Sequence, residues 1–452
     1  MQYIERLVEK DLKAWKDNDS DYGLEVTGCR QVGKTTTVLA FAKQNYENVI
    51  YVNVSVDSNI DTLKSVDENT VLQQVQQYCI AVGKRFTDTK DTVLIFDEIQ
   101  ESKELYERIR VFHRCLHCDL IVTGSNLAKA KEFFQPAGDL MQVRIYPLSY
   151  EEYLNYYGAY EYYKQSSIDQ IVNEKYAWFK EVYDVYCLVG GYPAVFSAYL
   201  NDRQIKPVFE SLLETFKSEF HVNIGNPADY DKIEVMFETI CKLMCREKKG
   251  DSRLIETASR ITAQNKSKRV ASEECNNLLS WLSAARIINY CDKLDLRSGE
   301  RYSSERLYFE DIGLFNYLCD KYCIDKSTVA GMSAETFAFK QLKENDYFNR
   351  FYGDRPAFAI DGSHELDFCV DSRLDGKRYG IEVKAGKNTG ASLNKMLQNN
   401  QIDFAVYARE VGKDGAVGKV YTLPLFLLNK FSFDKGTPLQ SEPLKRISVF
   451  HA

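Results

Sequence analysis

The stretch GCRQVGKTTT, residues 28–37, decides the fold of the N-terminal part of the chain. Two glycines bracket four residues, and Lys34 and Thr35 follow, which is the spacing G-x-x-x-x-G-K-[ST]. An apolar segment at residues 24–26 precedes this stretch, and helically spaced apolar residues follow it. The sequence therefore predicts a strand, a phosphate-binding P-loop and a helix in that order, rather than a chance glycine turn.

Each part of a P-loop has a chemical task. The glycines let backbone N–H groups turn toward the phosphates, and the helix that opens at Lys34 directs its positive end at them. The Lys34 ammonium reaches the outer phosphates, and the Thr35 hydroxyl ligates Mg²⁺. The predicted nucleotide-binding residues are Gly28, Cys29, Arg30, Gln31, Val32, Gly33, Lys34, Thr35 and Thr36.

A second strand, in the stretch TVLIFDEIQ, ends in two acids. Its apolar run at residues 93–96 is typical of a strand that is buried on both faces of a parallel sheet. We expect Asp97 to hold Mg²⁺ and Glu98 to polarise an attacking water. The sequence therefore predicts ATP hydrolysis. A phosphotransferase is disfavoured, because Glu98 has a natural hydrolytic role and no acceptor site is apparent.

Charge distribution limits the partners of the chain. The 452 residues suit two or three domains, and the net charge of −7 confines any nucleic-acid binding to local patches. Residues 242–270 contain nine Lys and Arg against three acids, a local charge of +6. This Lys248 to Arg269 basic patch predicts contacts to DNA or RNA backbones, with a solvated basic face as the alternative. Its proposed contact residues are Lys248, Lys249, Arg253, Lys266, Lys268 and Arg269.

Location follows from what the sequence does not contain. The sequence contains no apolar run of about 18 residues, so it predicts no membrane span. The charged N-terminus does not resemble a secretory signal. The 12 cysteines follow no disulfide spacing. We expect a cytoplasmic protein, with a homo-oligomer or an unknown protein partner left open.

Two strand-like stretches in the last third raise the question of cutting. HELDFCVD carries Asp367, and YGIEVKAGK carries Glu382 and Lys384 two residues apart, so both project from one face. An acid on one strand beside E-x-K on its neighbour is the constellation of restriction-endonuclease-like nucleases. In that interpretation Asp367 and Glu382 ligate Mg²⁺, and Lys384 orients water or steadies the developing phosphorane charge. The alternative is a domain of the same fold that binds without cutting.

The ordered set of motifs resembles a known group. GCRQVGKTT, LIFDEIQ, VTGSN, YPLSYEEYL and GGYPAVF, followed by SSERLYFEDIGLFNYL, AETFAFKQL, HELDF and IEVKAG, resemble the bacterial and archaeal AAA-type ATPases with an uncharacterised C-terminal domain. The resemblance implies that Ser125 contacts the γ-phosphate or the attacking water, with Asn126 close behind. It also adds Glu335 to the acids of the nuclease-like set.

One departure from the family concerns the arginine that faces the γ-phosphate. Many members carry Gly-Arg before the PLS strand, whereas this chain has Gly138 and Asp139. Arg144, Arg110 or Arg30 is left to take that role, and the sequence does not choose among them.

The expected fold class is α/β in four parts: an AAA-type P-loop domain with a doubly wound parallel sheet at residues 1–150, a helical lid at 151–230, a winged-helix domain at 231–325 and a restriction-endonuclease-like domain at 326–452. The leading hypothesis is an Mg²⁺-dependent ATPase whose nucleotide state controls the winged-helix and nuclease-like module acting on nucleic acid. The alternative is a regulatory ATP switch with a non-cutting nuclease-like domain used for protein or nucleic-acid contacts.

Overall fold

The computed structural model of the chain describes residues 3–18, 22–124, 139–224, 230–245, 272–304, 306–344, 357–362, 364–384, 391–410 and 415–436. The chain forms two compact units. The first contains Met1–Tyr162, Leu188–Tyr230 and Asn276–Ile288, and the second contains Tyr163–Cys187, Asp231–Cys275 and Asn289–Ala452. Within the described ranges, no helix has the length and apolar character needed to cross a membrane.

A five-stranded parallel sheet lies at the centre of the first unit. Its strands are β1 (Gly23–Thr27), β2 (Asn48–Asn53), β3 (Thr92–Asp97), β4 (Asp119–Gly124) and β5 (Leu140–Arg144). They lie in the order β2-β3-β4-β1-β5, and each neighbouring pair is parallel. β1, β3 and β4 are buried along their whole length, as their apolar runs predict for the middle of a parallel sheet.

Helices connect and follow these strands. In chain order they are α1 (Glu9–Asp17), α2 (Lys34–Asn45), α3 (Asp61–Lys64), α4 (Val71–Ala81), α5 (Lys103–Cys115), α6 (Tyr150–Tyr156), α7 (Tyr160–Gln165), α8 (Ile168–Val189), α9 (Pro193–Leu200) and α10 (Lys206–Ile224). The α5 helix shows why they form: the Ser102 hydroxyl caps its first turn by accepting from the Leu105 N–H. Its apolar face then packs on the sheet, where the rings of Phe112 and Phe96 meet edge to face at 5.0 Å between centroids.

The topology of this sheet positions the P-loop and the acids. In a parallel sheet the carboxyl ends of all strands lie at one edge, and ligands of α/β folds bind there. The register pairs Asn53 with Asp97 and Thr27 with Gly124, so these four strand ends lie side by side. The loop after β1 and the acids after β3 therefore share one edge.

The second unit contains a mixed eight-stranded sheet. Its strands follow β6 (Ile288–Tyr290) in the chain and are β7 (Asp292–Asp295), β8 (Arg301–Tyr302), β10 (Ala357–Asp361), β11 (His364–Asp371), β12 (Arg378–Lys384), β13 (Phe404–Arg409), β14 (Gly415–Val417) and β15 (Val420–Pro424). The order is β14-β15-β13-β12-β11-β10-β7-β8. The β11 and β12 strands form the antiparallel hairpin that the sequence predicts, with Phe368 opposite Ile381.

The helices of the second half are α11 (Tyr230–Met244), α12 (Ser272–Ala284), α13 (Ile312–Lys321), α14 (Lys326–Glu344) and α15 (Ala391–Gln398). The helix α12 runs into β6, which pairs with β9 (Leu307–Phe309) in a separate two-stranded sheet. The next strand, β7, pairs instead with β10 of the large sheet, with Asp292 opposite Ala357. The winged-helix assignment of this segment stays a prediction.

Candidate functional site

The loop between β1 and α2 has the backbone that a P-loop requires. A Cβ at Gly28 would lie 2.1 Å from the carbonyl oxygen of Ile145, so no larger residue fits there. Gly33 caps α2 with φ of 91°, a left-handed conformation that favours glycine. The close approach of the chain after β5 therefore requires glycine at Gly28, and the left-handed turn into α2 favours glycine at Gly33.

Lys34 is buried at the start of α2. Its ammonium donates to the carbonyl oxygens of Gly28 at 3.2 Å and Cys29 at 2.9 Å. Burial lowers the pKa of Lys34, and the negative charges of Glu98 and Asp97 partly offset this effect. A desolvated ammonium at this position gains a strong electrostatic interaction from an incoming phosphate.

Asp97 is held at the end of β3 by three hydroxyl groups. Thr35 Oγ1 donates to its Oδ2 at 2.9 Å, and the Tyr51 hydroxyl donates to the same oxygen at 2.7 Å. The Thr123 hydroxyl, from β4, donates to Oδ1. Burial and the bond to Asp97 raise the pKa of Tyr51 to about 12, so this phenol remains a donor at neutral pH. The carboxylate of Asp97 is thus oriented by three neutral donors.

The oxygens of Thr35 and Asp97 fit a magnesium ion. Both are hard oxygen donors, they lie 2.9 Å apart, and both residues line one cleft together with Arg30 of the loop. A Mg²⁺ ion bound there would supply charge to polarise phosphate oxygens.

Glu98 follows Asp97 in a left-handed conformation with φ of 55°, which turns the chain out of β3. Gln100 donates to its Oε2. An open cleft of about 340 Å³ lies in front of the two acids. Its lining residues are Arg30, Thr35, Tyr51, Asn53, Ser55, Asp97, Glu98 and Glu101.

The P-loop is held from behind by Arg6, which is buried and precedes α1. Its guanidinium pairs with Glu152 at 2.8 Å and donates to the carbonyl oxygens of Val32 at 2.9 Å and Tyr146 at 2.7 Å. Ser149 and Glu152 form a capping box at the start of α6. The loop, the end of β5 and α6 are therefore tied together at one side chain.

The segment after α8 also contacts the P-loop. The sulfur of Cys29 lies 3.6 Å from the Tyr192 hydroxyl. Gln31 donates to the Thr215 hydroxyl of α10 at 2.9 Å. Arg30 pairs with Glu219 of the same helix at 3.2 Å. Thr36 is exposed in the first turn of α2.

The three arginines left open by the sequence lie in different places. Arg110 pairs with Asp139 at 2.8 Å, and the Asp139 carbonyl accepts from Gly23 at the start of β1, the edge opposite the P-loop. Arg144 donates to the Tyr146 hydroxyl at 3.1 Å. Of the three, Arg30 lines the cleft. The predicted Ser125, with Asn126 and Gly138, lies outside the described residues.

In the second unit, the hairpin brings the predicted E-x-K strand beside the predicted acid. Asp367 Oδ2 accepts from the Val383 N–H at 2.8 Å, and Lys384 pairs with Glu382 at 2.6 Å. Burial is the largest single influence and would lower the pKa of Lys384, but the charge and hydrogen bond of Glu382, together with the charges of Asp367 and Tyr407, outweigh it, so the pKa is raised. Lys384 is therefore an ammonium at neutral pH.

Glu335, on α14, is paired with a residue that sequence reasoning missed. Arg306 is buried, and its guanidinium lies 3.6 Å from Glu335 and 2.9 Å from Glu365 of β11. It also lies over the ring of Phe358, with 4.6 Å between Cζ and the ring centroid. A fixed positive charge thus stands among the acids of this region.

These pairings bear on whether the region fits a metal ion. Among the residues that the structure describes, no group of three or more His, Cys, Asp or Glu side chains is arranged to hold one. The predicted ligands Glu335, Asp367 and Glu382 are therefore not brought together as a metal site in this arrangement.

The predicted basic patch lies at residues 248–269, outside the described residues. Lys242, just before it, pairs with Glu238 one helical turn away at 2.5 Å. Sequence reasoning also missed Arg6, Tyr51, Thr123, Glu219 and Arg306, whose partners come from distant parts of the chain.

Comparison with known families agrees with the geometry of the first unit. Residues 22–154 match the family model of an AAA domain, and residues 180–322 match that of a domain of unknown function, DUF8612. No curated protein matches the chain. The first match spans all five strands of the parallel sheet.

Similar solved structures include the Orc1 protein of Aeropyrum pernix in complex with DNA, with 12% identity and a TM-score of 0.27 over 70% of this chain and 93% of that chain. The RuvB Holliday junction branch migration motor of Thermotoga maritima has 15% identity and a TM-score of 0.25, over 67% and 93%. Drosophila ORC bound to DNA has 12% identity and a TM-score of 0.24, over 71% and 96%. These TM-scores are too low to support any conclusion about this chain.

The P-loop, the Thr35 and Asp97 pair and the family match agree with one another. The prediction of a P-loop ATPase of the AAA type is confirmed at this level, and such domains in general use ATP with Mg²⁺. Over residues 22–154 the chain is thus similar to AAA domains, and over residues 180–322 it is similar to a domain of unknown function.

Proposed function

We propose that the chain hydrolyses ATP at the cleft beside the P-loop and that the nucleotide state controls the C-terminal half. The observation that carries the ATPase assignment is the 2.9 Å hydrogen bond from Thr35 to Asp97, in front of the P-loop lysine and beside Glu98. Residues 28–36 cradle the phosphates, with Lys34 on the outer ones. Thr35 and Asp97 hold Mg²⁺.

Glu98 is our candidate for the residue that activates water. It faces the same cleft as Thr35 and Asp97, and its left-handed backbone directs it away from the strand. General-base groups contribute roughly 10² to 10⁴ in rate. Ser125 is proposed, from family resemblance, to contact the γ-phosphate or the water.

The test is ATP turnover by the full chain with Glu98→Gln, beside Glu104→Gln as a matched control. Glu104 is exposed at the start of α5 and does not line the cleft. We expect Glu98→Gln to bind ATP with nearly unchanged affinity and to lose turnover by at least about 10², while Glu104→Gln behaves as the parent. Retained turnover in Glu98→Gln would remove Glu98 from this role.

We propose the same division of the chain as the motifs suggest: an AAA domain at residues 1–150, a helical lid at 151–230, a winged-helix domain at 231–325 and a restriction-endonuclease-like domain at 326–452. The β11–β12 hairpin supports the restriction-endonuclease-like domain. In it, Asp367 accepts a hydrogen bond from the backbone N–H of Val383, the residue between Glu382 and Lys384. The basic patch is our candidate for contacts to DNA or RNA, and a homo-oligomer or a protein partner is left open.

Two roles are open to this last domain: cutting nucleic acid, or contacting nucleic acid or protein without cutting. Arg306 favours the role without cutting. Cutting would use Asp367, Glu382 and Lys384, with Glu335 as a further acid. Arg306, however, lies against Glu335 and Glu365, where its charge opposes the binding of a cation. As a second candidate function beside the nuclease, we therefore propose that this domain contacts nucleic acid or protein without cutting.

The deciding experiment incubates the chain with labelled single- and double-stranded DNA and RNA, Mg²⁺ or Mn²⁺, and ATP or none. The double variant Glu382→Ala with Lys384→Ala is run beside it. Cutting that disappears in the double variant establishes a nuclease. Equal cutting by both exposes a contaminant, and no cutting by either supports the role without cleavage.

A further inference from the structure

The Arg30 and Glu219 pair lies beside the nucleotide cleft, and Glu219 has no part in the roles assigned above. Arg30 Nε lies 3.2 Å from Glu219 Oε1. The arginine side chain is 38% exposed and lines the cleft, whereas the glutamate side chain is only 7% exposed. A partly accessible cation is thus held by a buried anion next to the place where phosphates bind.

Glu219 lies within electrostatic reach of the P-loop lysine. Burial raises its pKa, the charges of Arg30 and Lys34 lower it, and Glu98 raises it again. Its carboxylate therefore interacts with Lys34, the residue that also attracts the phosphates. A negative charge on α10 competes with ATP for the same positive surroundings.

The helix that carries Glu219 is attached to the loop at a second point. Thr215 accepts from Gln31 at 2.9 Å, one turn before Glu219 on α10. Two successive P-loop residues, Arg30 and Gln31, are thus bonded to one helix face. A change at either contact alters how α10 lies on the loop within this unit.

Arg30 is the one basic residue in the described lining of the cleft. The other candidates are engaged elsewhere, Arg110 with Asp139 at the opposite edge of the sheet and Arg144 with Tyr146. An arginine on the γ-phosphate typically accelerates hydrolysis by about 10³ or more. The cleft therefore supplies its own arginine from the P-loop.

We infer that Arg30 exchanges between two anions, the Glu219 carboxylate and the terminal phosphate of ATP, and so reports the third phosphate to α10. This inference rests on the proposed ATPase function. ADP lacks the terminal phosphate, so it leaves the pair with Glu219 intact. Arg30 acts on the phosphate directly, and Glu219 is a positioning residue that acts through Arg30.

The test measures the Kd of the full chain for the ATP analogue AMP-PNP and for ADP, both with Mg²⁺, in the parent and in Glu219→Gln. Removing the competing charge should tighten AMP-PNP binding by about tenfold, the usual scale of one charged hydrogen bond. Binding of ADP should change by less than about twofold, since Arg30 has no terminal phosphate to meet. Glu214→Gln is the matched control, because Glu214 lies on the same helix and pairs with Lys217 instead.

Two further readouts separate this role from a structural one. Arg30→Gln should lower kcat by about 10³, and Arg30→Lys should recover part of it. Amides of residues 206–220 should exchange hydrogen faster with AMP-PNP than with ADP in the parent. This difference should vanish in Arg30→Gln.

Outcomes for the two proposals are distinct. If the parent binds neither nucleotide, the ATPase proposal fails. If it binds and hydrolyses ATP, but Glu219→Gln changes AMP-PNP and ADP binding equally or not at all, the exchange is overturned while the ATPase stands.

Discussion

The chain holds two groups of buried and half-buried acids, and their partners differ in charge. In the first unit, Asp97 is bonded by neutral hydroxyls from Thr35, Tyr51 and Thr123. In the second unit, Glu382 pairs with a lysine, and Glu335 and Glu365 pair with Arg306.

The difference decides what each group can attract. Hydroxyl donors orient a carboxylate and leave its charge in place, whereas a guanidinium or ammonium cancels that charge. The edge of the parallel sheet is therefore prepared for an external cation, and the region around Arg306 carries an internal one. Similar acid content thus leads to different chemistry, because the sign of the second partner differs.

The largest effect is expected from breaking the first group. Asp97→Asn removes the charge that we propose holds Mg²⁺ and should lower kcat/KM for ATP by about 10³, since metal stabilisation of the transition state is worth several kcal/mol. Glu335→Gln, in the second group, should leave ATP turnover within about threefold. Steady-state ATPase assays across a Mg²⁺ titration compare the two. Equal losses would show that the two acids do not differ as proposed.

Removing the internal cation of the second group should mainly cost stability. Arg306→Met leaves the buried charge of Glu335 and the half-buried charge of Glu365 uncompensated, and loss of one partner of a buried pair typically costs about 3–5 kcal/mol. The urea midpoint of the second unit should fall accordingly. Arg301→Met, which breaks the more exposed pair with Asp292, should cost less than about 1 kcal/mol.

Adding Glu335→Gln to Arg306→Met should restore part of the lost stability, because one unpaired charge is removed. A double variant as unstable as the single one would mean that Arg306 stabilises by packing on Phe358 rather than by charge. Mn²⁺ binding by the double and single variants, followed by electron spin resonance, shows whether the vacated charge admits a metal ion.

A smaller effect is expected from pH at the Arg30 and Glu219 pair. Burial raises the pKa of Glu219 above its ordinary value of 4.5, so this carboxyl accepts a proton at a higher pH than an exposed one. Its contribution to folding stability is therefore full at low pH and decreases as the pH rises through the raised pKa. Protonation also weakens its hold on Arg30.

The AMP-PNP affinity of the parent should therefore approach that of Glu219→Gln as the pH falls from 8 toward 5. The ratio of the two Kd values is the quantity to follow, because protonation of the nucleotide affects both proteins alike. The charged groups that act on Glu219 are Arg30, Lys34 and Glu98. A constant ratio over this range would contradict a titrating Glu219.

The smallest change sharpens the comparison at one oxygen. Tyr51→Phe removes one of the two donors to Asp97 Oδ2 and should lower the free energy of unfolding by about 1–2 kcal/mol. Tyr157→Phe, at an exposed tyrosine of the same unit, should cost almost nothing. Thermal unfolding of both variants measures the difference.

Sequence reasoning succeeded where the information is contiguous. The P-loop and the Asp97–Glu98 pair follow from spacing within a few residues, and the strands around them follow from apolar runs. Tyr51 and Thr123 did not stand out, because their bonds to Asp97 depend on β2 and β4 lying on either side of β3. Strand order is a property of the whole sheet, and no local pattern encodes it.

The same limit applies to the buried arginines. Arg306 meets Glu335 and Glu365 only once α14 and β11 have packed, and its own stretch, SSERLYFED, shows nothing unusual. The hairpin that carries Asp367 and Glu382 could be predicted from the sequence, because two adjacent strands and a short turn define it. The one available signal for Arg306 is that this arginine directly precedes the short apolar run at residues 307–309.

The position of Arg6 has a practical consequence for dissecting the chain. The AAA family match begins at residue 22, yet the guanidinium that reaches Val32, Tyr146 and Glu152 comes from residue 6. A fragment that begins at residue 22 would keep every recognisable motif. It would lose Arg6, whose guanidinium binds the P-loop carbonyl of Val32 and pairs with Glu152. Its Glu152 would be buried opposite a missing cation, and a failure to bind nucleotide would be misread as evidence against the P-loop.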